Sequence, residues 1–250
     1  MGRKARKHRE KRKLTKASRR SRYLGILIGT AVAAVAVIVL ILLALTPWES
    51  DGDVSVTDFI TPTPRTADIP RQGTTLGNPD APVTILEYSD FLCPYCRTVA
   101  LETMPQIEEE YIATGKVKLV FKQSPAPQLH GEECVVAAEA SECAAEQNAF
   151  WQYHDTLFLN AESVTFSSEN LKRFAQGLGL DTESFSTCLD EGKYRSKVAD
   201  DAAEARRRGI NSTPTFFVGQ TKLEGAKSYA EFKKAIDDEL ARLSGTPEAE

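Results

Sequence analysis

The chain has 250 residues, 42% hydrophobic and 26% charged, enough for one sizeable core or at most two small ones. Its formal charge of -4 hides two opposite parts. Twelve of the 31 Lys and Arg residues lie between Arg3 and Arg22 beside one acid, Glu10, which leaves 19 basic against 34 acidic residues, a net of -15, in the rest. So acidic a body gives no electrostatic reason for a nucleic-acid partner.

Residues 1–22 read as a basic cytoplasmic tail. Residues 24–45 run for 22 positions without a charge, long enough at about 1.5 Å per residue to cross a bilayer core of roughly 30 Å. With Tyr23 and Trp48 at its interfaces, segment 23–48 is expected to be an uncleaved transmembrane signal-anchor helix. A cleaved secretory signal is the rival, but its apolar region is usually shorter, and Pro47 follows the best candidate cleavage site, Ala44-Leu-Thr46. Basic residues stay on the cytoplasmic side, so everything after Trp48 is expected outside, on a cell membrane crossed once.

Residues 49–77 are rich in Thr, Pro, Asp and Gly and show no apolar period. They read as a flexible tether. The folded domain is expected over 78–243, followed by a polar C-terminal tail at 244–250.

Within the domain, residues 83–88 predict a central strand, apolar on both faces. A helix is predicted from Cys93 and Pro94 to about Thr114, ended by Gly115, and a second strand over 117–122 completes a parallel βαβ unit. Helical segments fill about 131–208, with Ser167, Ser168 and Asp181 as caps and Gly177 and Gly179 as stops. After Pro214, residues 215–218 predict a strand, Gly219 and Gln220 a turn, and 222–225 an antiparallel edge. In the last helix Ser228 and Glu231 form a capping box, and Phe232, Ile236, Leu240 and Leu243 mark the face laid on the sheet. The fold class is therefore α/β, a thioredoxin-type order of βαβ then ββα with an inserted helical subdomain.

The chemistry centres on Cys93-Pro-Tyr-Cys96. If Cys93 caps the helix with Pro94 at its first position, unpaired N–H groups and the positive end of the helix dipole stabilise the Cys93 thiolate. Cys96 lies about 300° round the helix, close enough to close a disulfide but turned inward. Cys93 is expected to attack and Cys96 to resolve, with no cofactor and no metal. The rival reading, half of a zinc site, needs a second close pair of ligands; Cys134, Cys143 and Cys188 are widely spaced, and only His130 and His154 lie beyond the membrane segment.

The run Glu-Tyr-Ser-Asp-Phe-Leu-Cys-Pro-Tyr-Cys96, with Ser-Thr-Pro-Thr-Phe-Phe-Val218 downstream, resembles the DsbA-type thioredoxin family over about 78–243. The resemblance implies a cis proline at Pro214 beside the active cysteines, where Thr213 pairs with a bound peptide. Pro94 and Tyr95 complete that substrate-facing set. They match neither the Gly-Pro of thioredoxin nor the Pro-His of the best-known strong oxidants. The resemblance also makes Glu87, six residues before Cys93, a proton carrier for Cys96. Independently, Val83, Ile85 and Glu87 share one strand face, and a buried carboxylate is costly. An acid at the strand end reaching water is the alternative, and Asp90 reads as a turn residue.

Cys134 and Cys143 fall nine residues apart in one predicted helix, on opposite faces about 13 Å apart, so they cannot bond each other within it. Any second disulfide then uses Cys188, and resemblance to segments that some family members join selects Cys143 with Cys188. Cys134 reads as a small packed apolar residue. His130, before the insertion, is expected away from the active site. His154 reads as a packed surface residue, and the stripe of Phe150, Trp151, Tyr153, Leu157 and Phe158 as core.

These features imply oxidation of thiols in exported proteins. A reductase or isomerase would use the same residues, and a peptide holdase or metal chaperone could share the fold. A neighbouring integral membrane redox protein is the expected partner, and a monomer the expected state.

Overall fold

The computed structural model describes residues 59–63, 65 and 69–245. The basic tail, the expected membrane span and most of the polar C-terminal tail lie outside them. Among the described residues no helix is long and apolar enough to cross a membrane.

Six strands form one mixed sheet in the order β1-β2-β4-β3-β5-β6. They are β1 (Arg71–Gln72), β2 (Thr75–Leu76), β3 (Val83–Ser89), β4 (Val117–Gln123), β5 (Thr215–Val218) and β6 (Thr221–Glu224). The centre is the parallel pair β3 and β4, in register from Val83 opposite Val117 to Ser89 opposite Gln123. On its other side β3 takes β5 antiparallel, with Glu87 opposite Phe216. Alternation puts Val83, Ile85, Glu87 and Ser89 on the face of the large core, and Tyr88 on the other face with Ala205 and Ile210.

Helix α1 follows β3 over residues 94–112. Two of its stretches, Val99–Thr103 and Glu108–Ile112, are wound wider as π-helix. Pro105 has no N–H to give to the carbonyl one turn back, so the regular ladder cannot run through it. The insertion contains α2 (Pro127–His130), α3 (Glu133–Glu146), α4 (Phe150–Asn160), α5 (Ser168–Gly177), α6 (Thr182–Asp190) and α7 (Arg195–Arg207). Ser167 and Asp181 cap α5 and α6. Helix α8 (Tyr229–Ser244) carries the Ser228–Glu231 capping box. Phe232 and Ile236 are buried there, but Leu243, in the last turn, is 46% exposed and does not join the face laid on the sheet.

The stretch 49–77 is not a tether throughout. Its residues Phe59, Ile60 and Arg65 strap it to the domain. Phe59 packs against Phe174 at 4.8 Å between ring centroids, over Gly177, where a Cβ would stand 2.3 Å from the ring. The amide of Asn160 brackets Ile60, accepting from its N–H and donating to its carbonyl, both at 2.8 Å. Arg65 Nε donates to Asp155 at 2.7 Å, its Nη1 pairs with Glu108, and its guanidinium lies 5.1 Å from the Trp151 ring centre. Each anchor is a single residue, which leaves no periodic signal in the sequence. Strands β1 and β2, two residues each, were equally invisible to a pattern of period two.

Candidate active site

Cys93 stands at the N-cap of α1 in extended conformation (φ -79°, ψ 120°), with Pro94 as first helical residue. This is the placement that leaves the first N–H groups of the helix pointing at the sulfur. Cys93 and Cys96 are both free thiols, 5% and 0% exposed. The Cys93 sulfur lies 3.3 Å from the Thr213 carbonyl oxygen, to which only its protonated form can donate, and the Thr213–Pro214 peptide bond is cis. Two segments 120 residues apart in sequence thus meet at one sulfur. Tyr95 projects into solvent at 64% exposure beside it.

The two sulfurs are electrostatically unequal. A hydrogen bond from Cys96, with help from the Thr213 side chain and the N–H groups of Cys96 and Tyr95, outweighs burial and holds the Cys93 thiol down at about 5. Burial, and the anion on Cys93, push Cys96 well above the ordinary thiol range. One sulfur is an anion at neutral pH while the other keeps its proton. That is the machinery of thiol–disulfide exchange, a nucleophile in front and a protonated thiol behind it.

Beneath the sulfurs the core face of β3 turns polar. Glu87 is 1% exposed, so it does not reach water at the strand end, and burial pushes its carboxyl up to about 7. Ser89 and Gln123, opposite each other in register, are also buried. Asp90 does more than make a turn. Its buried carboxylate accepts from the N–H groups of Leu92 and Ala126, both at 2.9 Å, and lies 2.8 Å from Nδ1 of His130. Its own N–H donates to the Cys96 sulfur at 3.5 Å. Asp90 therefore ties the β3–α1 turn and the segment after β4 to the Cys96 sulfur, and His130, expected away from the site, lies beside it through Asp90. Sequence reasoning passed over Ser89 and Gln123, although each is the polar end of an otherwise apolar strand face.

The remaining residues separate from the site. Cys143 and Cys188 form a disulfide joining α3 to α6, with an S–S distance of 2.03 Å and Cα atoms 5.9 Å apart. Cys134 is buried, donates to the Gly131 carbonyl at 3.1 Å, and is pushed up to about 12 by burial, which makes it a poor nucleophile. His154 is not at the surface: it is 2% exposed, ringed by Phe91, Phe121, Phe150, Trp151 and Phe158, with Nδ1 2.8 Å from Asp155. The aromatic stripe of α4 supplies much of that core.

The family profile described as thioredoxin matches residues 71–238. The chain belongs to the thioredoxin family. Its likeness is to the DsbA type: a probable disulfide bond formation protein D of Bacillus cereus is 32% identical over 67% of this chain and 78% of its own length. The crystal structure of oxidised BdbD from Bacillus subtilis superposes with a TM-score of 0.62 at 27% identity, covering 73% of this chain and 98% of that one. A Na(+)/H(+) antiporter NhaA 3 of Salinispora tropica is 33% identical over 69% of this chain. The chain spans only about a quarter of that antiporter's length, the match covering 25% of it.

Proposed function

We propose that this DsbA-type thioredoxin protein oxidises cysteine thiols of exported proteins by handing on a Cys93–Cys96 disulfide, held at the outer side of a cell membrane by segment 23–48. The observation that carries the direction is the depressed Cys93 thiol, about 5. A couple whose reduced form is stabilised gives up its disulfide readily. Relative to an ordinary thiol near 8.5, a thiolate with a pKa of about 5 stabilises the reduced form by about 3 kcal/mol at neutral pH, which makes the couple more oxidising by roughly 60 mV.

A substrate thiolate attacks Cys93 Sγ, the Cys93–Cys96 bond breaks, and Cys96 leaves as the thiolate. The second substrate thiol then attacks its partner sulfur in the mixed disulfide and releases Cys93 as an anion. Thr213, Pro214, Pro94 and Tyr95 form the surface that receives the substrate chain. Glu87 supplies and removes the proton of Cys96. The names of the Bacillus relatives support disulfide formation as the direction. An integral membrane redox protein that reoxidises the pair, a monomeric state, and the absence of a cofactor, metal or nucleic-acid partner belong to the same proposal.

The test is the reduction potential of the Cys93–Cys96 couple, together with oxidation of a reduced unfolded protein and reduction of insulin by the full chain. A potential near about -120 mV with oxidation of the unfolded protein is the expected outcome. A potential near about -270 mV with insulin reduction would reverse the direction. Neither activity would leave a peptide-binding protein.

A further inference from the structure

Four buried side-chain atoms have no hydrogen-bond partner among the described residues and belong to one region of the core: Glu87 Oε1, Ser89 Oγ, Gln123 Oε1 and His154 Nε2. Buried polar atoms are normally paired, because leaving one unsatisfied is costly. Three of them share the core face toward the C-terminal ends of β3 and β4, next in the chain to Asp90, whose N–H reaches the Cys96 sulfur. Ser89 is the middle member. It lies two residues past Glu87 on the same strand face and just before Asp90, whose N–H reaches the Cys96 sulfur.

Glu87 and Cys96 make no hydrogen bond to each other among the contacts of the site. Ser89 is the side chain that acts on both, its hydroxyl easing the Glu87 carboxyl and the Cys96 thiol toward their charged forms. A hydroxyl donates one hydrogen bond and accepts others, so it can take a proton on one side while giving its own on the other. Carboxylic acids and thiols that exchange protons must come within hydrogen-bond reach, directly or through one intermediary.

We propose that the Ser89 hydroxyl relays the proton between Cys96 and Glu87, resting on the reading above in which Cys96 is the resolving thiol and Glu87 its proton carrier. When a substrate thiolate bonds to Cys93 and the Cys93–Cys96 electron pair leaves on Cys96, the Ser89 proton passes to the Cys96 sulfur and the Glu87 carboxylic acid re-protonates Ser89. Glu87 ends as a carboxylate, Cys96 as a thiol, and Ser89 is unchanged. In the reverse step Cys96 gives its proton through Ser89 to the Glu87 carboxylate as its sulfur attacks Cys93.

The experiment uses the full chain with glutathione preloaded on Cys93 as a mixed disulfide and follows glutathione release by Cys96 across pH. Ser89→Ala is expected to slow release about 100-fold near neutral pH, the scale of lost acid–base assistance. The deficit should shrink as pH rises and hydroxide takes the Cys96 proton directly. Ser89→Thr, which keeps the hydroxyl, should restore the rate. The double variant Ser89→Ala with Glu87→Gln should be no slower than the slower single variant, since both break one path. Melting temperature separates this from a structural defect, because Ser89→Ala removes an unsatisfied buried hydroxyl and should not lower it. A Ser89→Ala rate within about twofold of wild type, or a loss equal at every pH, would overturn the relay. If Ser89→Ala has no effect while Glu87→Gln still slows release, the relay fails and the carrier role of Glu87 stands. If wild-type Cys96 releases no glutathione, the underlying assignment of roles fails instead.

Discussion

The unequal sulfurs can be tested by stability alone. Take pH as the perturbation and compare the reduced with the oxidised protein. In the reduced native state Cys93 titrates near about 5, against about 8.5 for an unfolded cysteine, so between those values the unfolded chain binds one more proton. Its contribution is therefore fully present at high pH and lost as pH falls through about 5. Integrated from about pH 5 to about pH 7, the reduced protein gains about 2 kcal/mol. The oxidised protein has no Cys93 thiol and gains none of it. Glu87 works in the opposite sense: raised to about 7 by burial, it stabilises below the ordinary carboxylate range and loses that contribution as pH rises through about 7. Glu87 is present in both redox states, so its term drops out of the difference to first order. Urea unfolding of both forms, followed by tryptophan fluorescence between about pH 5 and about pH 7, should show the gap moving by about 2 kcal/mol in favour of the reduced form. A gap that stays flat, or moves the other way, would refute a depressed Cys93 thiol and with it the electrostatic case for an oxidant.

Cys96→Ser should accumulate mixed disulfides on Cys93 with substrate proteins, visible on non-reducing gels, whereas trapping by Cys93→Ser would reverse the two roles. Replacing Cys143 and Cys188 by Ala opens a loop of 45 residues and should lower stability by about 4 kcal/mol in urea melts under oxidising conditions, leaving the pH profile of Cys93 alkylation unchanged. Gly177→Ala puts a methyl group where the Phe59 ring sits, which should cost about 1–3 kcal/mol and make the strap near Phe59 the first site of limited proteolysis. A wild-type cleavage pattern in that variant would mean the strap is not held by Phe59.

Much of the centre of the fold was legible because its signals are repetitive or local. The apolar run of β3, the Cys-Pro start of α1, the glycine after it and the Ser228–Glu231 box each specify a structure within a few residues. The strap was not legible, since Phe59, Ile60 and Arg65 are held by partners about 43 to 115 positions away in the chain rather than by neighbours. His154 misled for a related reason. A polar residue among aromatics reads as half exposed, yet five aromatic rings and Asp155 bury it. Of the site, the pair of cysteines and Glu87 carried their own signals, whereas the approach of Thr213 to Cys93 depends on β5 lying against β3.

Sequence patterns find residues that agree with the fold, and the site contains residues that disagree with it. Glu87, Ser89 and Gln123 occupy positions where the alternation of β3 and β4 calls for apolar side chains, and each leaves a buried polar atom unpaired among the described residues. An Ile or Val at any of the three would fit the same face at lower cost. Such local conflicts are destabilising unless the groups act, and they are expected where function overrides packing. Their position supports that reading. They sit toward the strand ends next to Asp90, whose N–H reaches Cys96, the sulfur that in the proposed exchange gains and loses a proton, and none of the three belongs to the apolar ends of β3 and β4 near Val83 and Val117. A carboxyl held near about 7 is half protonated at neutral pH, able to give or take a proton there, which an exposed glutamate titrating near about 4.3 does far less well. The same burial that weakens the core thus supplies the chemistry the two sulfurs lack.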